Sequence, residues 1–245
     1  MNPTNSGPTI LIAGHWLGAW AWDDVLEHVT TDRTRTEAMT LPGLDANDPE
    51  RATRTLDDQV AAIYDLLARP ADGDQQPAMI VAHSGANFPV SVVLDRHPEL
   101  VRRVIWVDSG PVQAGSAFAP DLPDAVVELP LPPFDVLSQG ASIDGLSAGD
   151  LERFRARAVP EPGPVLRQHV ELTNDVRRAI PTTLVCCSIS SSAVLDMARA
   201  GQPMFAEVAT LQNFDVVDLP TGHWPMWSRS RDLADVIRTE AARTD

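Results

Sequence analysis

The chain has 245 residues, a length that suits one α/β domain, and 44% of them are apolar, enough to bury a full core. Acidic residues outnumber basic ones by 34 to 19, and the resulting net charge of −15 argues against nucleic acid or an anionic membrane as a partner. The only two cysteines, Cys186 and Cys187, are adjacent and so do not indicate a disulfide framework, and no apolar run is long enough to span a bilayer.

Short apolar runs alternate with segments of helical periodicity, which predicts a mostly parallel sheet with helices on both faces. Strands are predicted at residues 9–13, 37–41, 78–82, 101–107, 182–187 and 214–219. Helices are predicted at residues 22–30, 56–67, 85–95 and 231–242. The helix at 56–67 has the clearest apolar face, formed by Leu56, Val60, Ile63, Tyr64 and Leu67.

Prolines interrupt the chain repeatedly between residues 111 and 164, around one amphipathic helix predicted at 147–158. Proline cannot donate a hydrogen bond to a sheet, so this segment is expected outside it. We therefore predict a single domain over residues 1–245, with a helical cap or lid inserted at about residues 112–180.

Ser84 lies where a buried strand runs directly into an apolar helix, in the sequence VAHSGAN at residues 81–87. Ala82 and Ala86 flank it two residues away on either side, and small neighbours are what a tight strand-to-helix turn requires. Such a turn, a nucleophile elbow, exposes the serine hydroxyl. The alternative is that Ser84 only caps the helix.

Two further segments carry residue types that suit acyl-transfer chemistry. The sequence GHWLGAWAW at residues 14–22 follows the first strand, where the backbone N–H of His15 could join that of Gly85 in stabilising an oxyanion. The sequence LPTGHWP at residues 219–225 places His223 in a loop after the last strand, and the chain order of serine before histidine fits a catalytic triad. Taken singly, each segment could equally serve packing.

Together the segments resemble the α/β-hydrolase superfamily. The first turn is similar to the HG-x-W segment of these proteins, residues 82–86 to their GHS-x-G elbow, and GHWP to their catalytic-histidine loop. The chain is identified as a member of that superfamily, and it resembles the small cap-bearing branch that includes esterases, lactonases and hydroxynitrile lyases. The resemblance implies Ser84 as nucleophile and His223 as general base, although Ala13 stands where the family usually has histidine.

The acid of the triad is less clear from the sequence. Relatives usually carry it a few residues after the penultimate strand, but residues 187–192 here, CSISSS, contain no carboxylate. Some branches supply it from the end of the strand after the elbow helix, where Asp108 lies in the sequence VIWVDSGP. Asp196, or a Ser–His dyad assisted by Ser190 or Ser191, remain alternatives.

The resemblance implies a serine hydrolase that cleaves a carboxylic ester or lactone of a small, largely apolar substrate through an acyl-enzyme. Trp16, Phe118 and Phe134 are the candidate substrate-binding residues; Leu131, Leu137 and Phe154 could join them, or these cap residues could only fasten the cap to the domain. A hydroxynitrile-lyase-type lyase and a non-catalytic ligand-binding protein are the alternative functions.

No histidine pair has metal-ligand spacing and no nucleotide-binding motif is present, so neither metal nor cofactor is expected. The polar start of the chain does not resemble a signal peptide, so we expect a cytoplasmic protein that acts on a small molecule.

Overall fold

A parallel sheet of six strands runs through the residues that the computed structural model describes, 7–29, 35–69 and 76–243. Its strand order is β2-β1-β3-β4-β7-β8, and a separate antiparallel ladder joins β5 to β6. The strands are β1 (Thr9–Ile12), β2 (Thr36–Met39), β3 (Ala78–His83), β4 (Val101–Val107), β5 (Glu128–Leu129), β6 (Glu161–Pro162), β7 (Thr182–Cys186) and β8 (Phe214–Asp218). The predicted α/β class with a mostly parallel sheet is confirmed.

Helices cover both faces of this sheet. They are α1 (Asp23–Val29), α2 (Leu56–Leu67), α3 (Asn87–Arg96), α4 (Phe134–Leu137), α5 (Ala148–Arg157), α6 (Gly163–Arg167), α7 (Ser191–Arg199), α8 (Pro225–Ser228) and α9 (Ser230–Ala241). The first predicted helix, 22–30, extends beyond α1 into residue 30, which lies outside the described residues. The predicted helix at 85–95 begins as a 3-10 turn, Ser84–Ala86, before α3.

The four inner strands, β1, β3, β4 and β7, are buried on both faces, as parallel strands covered by helices must be, whereas the edge strands β2 and β8 are partly exposed. In β1, Ile10 and Ile12 pack in the core layer that contains the apolar side chains of α2 and α3. Leu11, between them, points to the opposite layer, which contains those of α1 and α9. The alternation of side chains along a strand thus joins two cores through one sheet.

Helix α2 confirms the predicted apolar face, because Leu56, Val60, Ile63 and Leu67 are all buried. A capping box fixes its start: Thr55 accepts a hydrogen bond from the Asp58 N–H at 3.2 Å, and Asp58 accepts one from the Thr55 N–H at 2.8 Å. Tyr64, predicted on the same face, is instead 38% exposed, and its ring lies 4.3 Å from that of His97.

Residues 112–180, which we name the insertion, leave the sheet between β4 and β7, two strands that are direct neighbours. The insertion contains β5, β6 and α4 to α6. It lies against the loops at the carboxyl end of the sheet: the Val159 N–H donates to the carbonyl of Trp16 at 3.0 Å, and the His223 N–H donates to that of Ser142 at 2.7 Å. In the described ranges no helix is both long and apolar enough to cross a lipid bilayer.

Candidate active site

Ser84 follows β3 directly and has a φ of 52°, a left-handed conformation that is costly for a serine. The chain reverses there from strand to helix, which raises the serine hydroxyl at the carboxyl end of the sheet. This is the tight strand-to-helix turn that the sequence predicts at this position.

Two glycines allow the loop after β1 to run against this turn. A Cβ added to Gly14 would lie 2.7 Å from Cβ of Ser84 and 2.8 Å from the backbone nitrogen of Gly85. A Cβ added to Gly85 would lie 2.2 Å from Nε2 of His15. Both separations are shorter than van der Waals contact, so glycine at these positions allows the loop after β1 and the ring of His15 to lie against the turn. The predicted oxyanion donors, His15 and Gly85, thus belong to two segments in direct contact.

His223, in the loop after β8, lies between the hydroxyl of Ser84 and the carboxylate of Asp108. Its Nε2 is 2.8 Å from Oγ of Ser84 and its Nδ1 is 2.6 Å from Oδ2 of Asp108. The structure therefore brings together three residues that the sequence singles out, from loops after three different strands.

Asp108 follows β4 directly and also has a left-handed backbone, with a φ of 45°. The loop after β7 holds its carboxylate: Oδ1 accepts the N–H groups of Cys187 at 3.0 Å and Ser188 at 2.9 Å, and Oδ2 accepts the Ser188 hydroxyl at 2.6 Å. Burial on its own would raise the pKa of Asp108, but the hydrogen bonds from His223 and Ser188 bring that pKa below its ordinary value. Asp108 is therefore ionised at neutral pH.

The alternative partners for His223 are engaged elsewhere. Asp196 lies exposed on α7 and forms an ion pair with Arg199 at 2.9 Å. Ser190 caps the start of α7, and the Ser191 hydroxyl donates to Asp218 at 2.7 Å. Among the residues that the structure describes, Asp108 is the carboxylate within hydrogen-bond distance of His223.

His83, immediately before the serine, connects two of the site's loops. Its Nδ1 accepts the N–H of Gly14 at 3.4 Å, so its proton is on Nε2, which donates to the carbonyl of His223 at 2.8 Å. Burial, together with the neighbouring His223, lowers the pKa of His83 to about 3. The sequence around His83 does not indicate these two partners, because they belong to loops that are distant along the chain.

A cavity of about 610 Å³ opens onto Ser84, Asp108 and His223. Trp16 and Phe118 line it, as does Leu137. The structure places Phe134 elsewhere: its ring packs 5.8 Å from that of Phe154 and 4.7 Å from the Arg155 guanidinium. Further apolar lining that the sequence did not indicate comes from α3 and from the chain between β7 and β8, and consists of Phe88, Ile189, Val194, Pro203, Met204 and Phe205.

Among the described residues, no three or more His, Cys, Asp and Glu side chains form a group that could hold a metal ion.

Gly14→Ala is expected to lower the free energy of unfolding by about 1–3 kcal/mol, because the new methyl group would overlap the turn at Ser84. Urea denaturation measures the change. Gly149→Ala, at an exposed position of α5 where the nearest neighbour of a Cβ is 3.7 Å away, is the matched control and should leave stability unchanged or raise it. Equal behaviour of the two variants would contradict the close contact.

Unfolding free energy should fall by about 2 kcal/mol between about pH 7 and pH 5 on account of His83 alone. The pKa of His83 in the folded protein is about 3, below the ordinary value of 6.5. Between about pH 7 and pH 5, His83 therefore becomes protonated in the unfolded chain but stays neutral in the folded protein. Urea denaturation across this range, compared with His83→Gln, isolates the contribution. A pH dependence identical in both proteins would show that His83 titrates normally when folded.

Comparison with known proteins agrees with this architecture. Residues 9–236 match the model of the Alpha/beta hydrolase family, whereas no curated protein matches the chain. Similar solved structures include an extracellular alpha/beta-hydrolase from a Paenibacillus species (16% identity, 97% of this chain and 100% of that one, TM-score 0.74). They also include a pyrethroid hydrolase from Sphingobium faniae JZ-2 (18% identity, 96% of this chain and 97% of that one, TM-score 0.69). A methylesterase from Arabidopsis is similar as well (14% identity, 96% of this chain and 99% of that one, TM-score 0.70). These likenesses concern the fold, and the family match establishes that the chain belongs to the Alpha/beta hydrolase family.

Proposed function

We propose that this protein is a serine hydrolase that cleaves a carboxylic ester or lactone of a small, largely apolar substrate through an acyl-enzyme. The observation that supports this most directly is the hydrogen-bonded series from Ser84 through His223 to Asp108, at the wall of the cavity. Esterases and hydrolases among the similar structures agree with the proposal.

In the first half of the reaction, Ser84 Oγ attacks the substrate carbonyl carbon while His223 Nε2 accepts the hydroxyl proton. The ionised carboxylate of Asp108 stabilises the imidazolium that forms and keeps the ring's Nδ1 proton towards itself. The tetrahedral intermediate then collapses: the bond from carbon to the leaving oxygen breaks, and His223 returns the proton to that oxygen. The alcohol of an ester leaves, whereas that of a lactone stays attached as a hydroxyl on the acyl chain; in both cases the acyl group stays on Ser84.

The negative charge of the intermediate needs donors that are in place before the reaction begins. We assign this role to the backbone N–H groups of His15 and Gly85; the close approach of Gly14 to the turn at Ser84 supports the assignment. Rigid donors of this kind are each worth on the order of 100- to 1,000-fold in rate. Water, deprotonated by His223, attacks the acyl-enzyme by the same route and releases the acid.

The cavity limits what can bind. Its volume of about 610 Å³ lies in the range of small-molecule sites, and Trp16, Phe118 and Phe88 give it apolar walls. We propose that the insertion acts as a cap, because Phe118 and Leu137 of the insertion form part of these walls. A cytoplasmic location stays part of the proposal.

A fluorophosphonate probe is expected to label Ser84, as located by peptide mapping, and p-nitrophenyl esters of short acids should be hydrolysed. Ser84→Ala should lose both the label and turnover, since the attacking oxygen is removed. Absence of label and of turnover in the wild-type protein would contradict the proposal and favour a ligand-binding protein on the same scaffold. Aldehyde release from a cyanohydrin without an acyl-enzyme would instead favour the lyase.

Asp108→Asn should lower kcat on the order of 10⁴-fold, because a neutral amide can neither stabilise the imidazolium nor keep the Nδ1 proton in place. Asparagine tolerates the left-handed backbone of this position, so the fold should survive. Steady-state kinetics should be compared with Asp196→Asn, whose side chain is exposed on α7 and which should keep wild-type kcat. Equal kcat for the two variants would remove Asp108 from the mechanism.

A further inference from the structure

A second imidazole–carboxylate pair lies beside the proposed catalytic residues. Nδ1 of His15 is 3.3 Å from Oε2 of Glu161, and the two side chains are 8% and 2% exposed. Glu161 belongs to β6 in the insertion and also accepts the N–H of Trp16 at 3.1 Å. A buried carboxylate needs such partners to offset its lost hydration.

The insertion holds the segment around His15 from several directions. Trp16 is the next residue, and its indole N–H donates to the carbonyl of Leu129 at 3.0 Å. The backbone carbonyl of Trp16 accepts the N–H of Val159 at 3.0 Å. The ring of Phe118 lies 4.1 Å from the imidazole in an edge arrangement. The orientation of His15 is therefore set by the fold before any substrate arrives.

The other ring nitrogen, Nε2, is buried and has no hydrogen-bond partner among the described residues. It lies over Gly85, 2.2 Å from the place that a Cβ on that glycine would occupy, and both residues line the cavity together with Ser84. A buried polar atom without a partner costs about 1–3 kcal/mol. Because His15 is one of the residues that line the cavity, a ligand bound there can supply the partner that Nε2 lacks.

We propose that Nε2 of His15, oriented by Glu161, binds a hydroxyl group that the substrate carries close to the scissile ester bond, on its acyl or its alcohol side. Nδ1 lies at ion-pair distance from the carboxylate, which favours a proton on Nδ1; Nε2 then accepts a hydrogen bond if the ring is neutral and donates one if it is charged. A hydroxyl can satisfy either form. The proposal rests on the proposed ester hydrolysis and narrows its substrate class to hydroxy esters.

Matched esters that differ by a hydroxyl in place of a methyl test the subsite. Methyl lactate and methyl isobutyrate differ in this way on the acyl side, and 2-hydroxyethyl acetate and propyl acetate on the alcohol side. For each pair, the ratio of kcat/KM for the hydroxy ester to kcat/KM for its methyl counterpart is measured. In at least one pair this ratio should be about tenfold higher in the wild-type protein than in His15→Phe, which is the effect of one hydrogen bond. The ratio within a pair cancels any loss of activity that the variant causes on both esters.

Glu161→Gln is a second variant, and its amide oxygen can still accept the N–H of Trp16. It should also lower the kcat/KM ratio of hydroxy to methyl ester, since the imidazole of His15 loses its charged partner. Glu128→Gln is the matched control: it lies on the paired strand β5, bonds to Arg51 instead, and should keep the wild-type ratio. Ratios that stay the same in His15→Phe and Glu161→Gln, for both ester pairs, would overturn the proposal.

Binding without turnover separates this proposal from the proposed function. In Ser84→Ala protein, the imidazole ¹⁵N resonance of His15, assigned with His15→Phe, should shift on adding a hydroxy ester and not its methyl counterpart. If wild-type protein hydrolyses none of the esters, the hydrolase proposal fails while this measurement still decides the subsite. The subsite proposal would be overturned if neither hydroxy ester shifted the resonance more than its methyl counterpart.

Discussion

The hydrogen bond between Nδ1 of His223 and Oδ2 of Asp108 is the contact on which the arrangement of the site depends. It joins loops that follow β8 and β4, and it can form because all strands of the sheet are parallel, so their carboxyl ends meet at one edge. The strand between them, β7, supplies what holds the carboxylate. Val107 and Val185 are partners in the ladder, which brings the backbone of Cys187 and Ser188 beside Asp108 one step further on.

The loop after β7 thus contributes hydrogen-bond donors to the site, although it contains no carboxylate. It contributes two N–H donors and one hydroxyl, and these offset the cost of burying the charge of Asp108. The neutral imidazole of His83 also holds loops of the site together, because it links the N–H of Gly14 to the carbonyl of His223. Its low pKa follows from the same burial that makes the link rigid.

Periodicity and motif were sufficient to predict much of this from sequence. The apolar face of α2, the strands before Ser84 and Asp108, and the turn at Ser84 all follow from local patterns that the structure reproduces. The partner of His223 stayed open, because the choice between Asp108 and Asp196 depends on which strands are neighbours and on donors in a distant loop. Local sequence carries neither.

The cavity lining was the hardest part to predict. Phe118 and Phe134 look alike in sequence, yet Phe118, in a loop of the insertion, lines the cavity, whereas Phe134, at the start of α4, packs on Phe154 of α5. Met204 and Ile189 come from the chain after β7 and have no periodic pattern that would mark them. Their position depends on tertiary structure alone.

The main-chain bonds between the insertion and the loop of His223 have a consequence for how such a protein could be re-engineered. The carbonyls of Ser142 and Asp144 accept the N–H groups of His223 and Gly222, and a side chain at Gly222 would collide with the latter carbonyl at 2.5 Å. The insertion is therefore not an exchangeable module that could be grafted from a relative to alter selectivity. A chimera would have to keep the backbone path of residues 142–144, and diversity in a library is better placed in side chains that face the cavity.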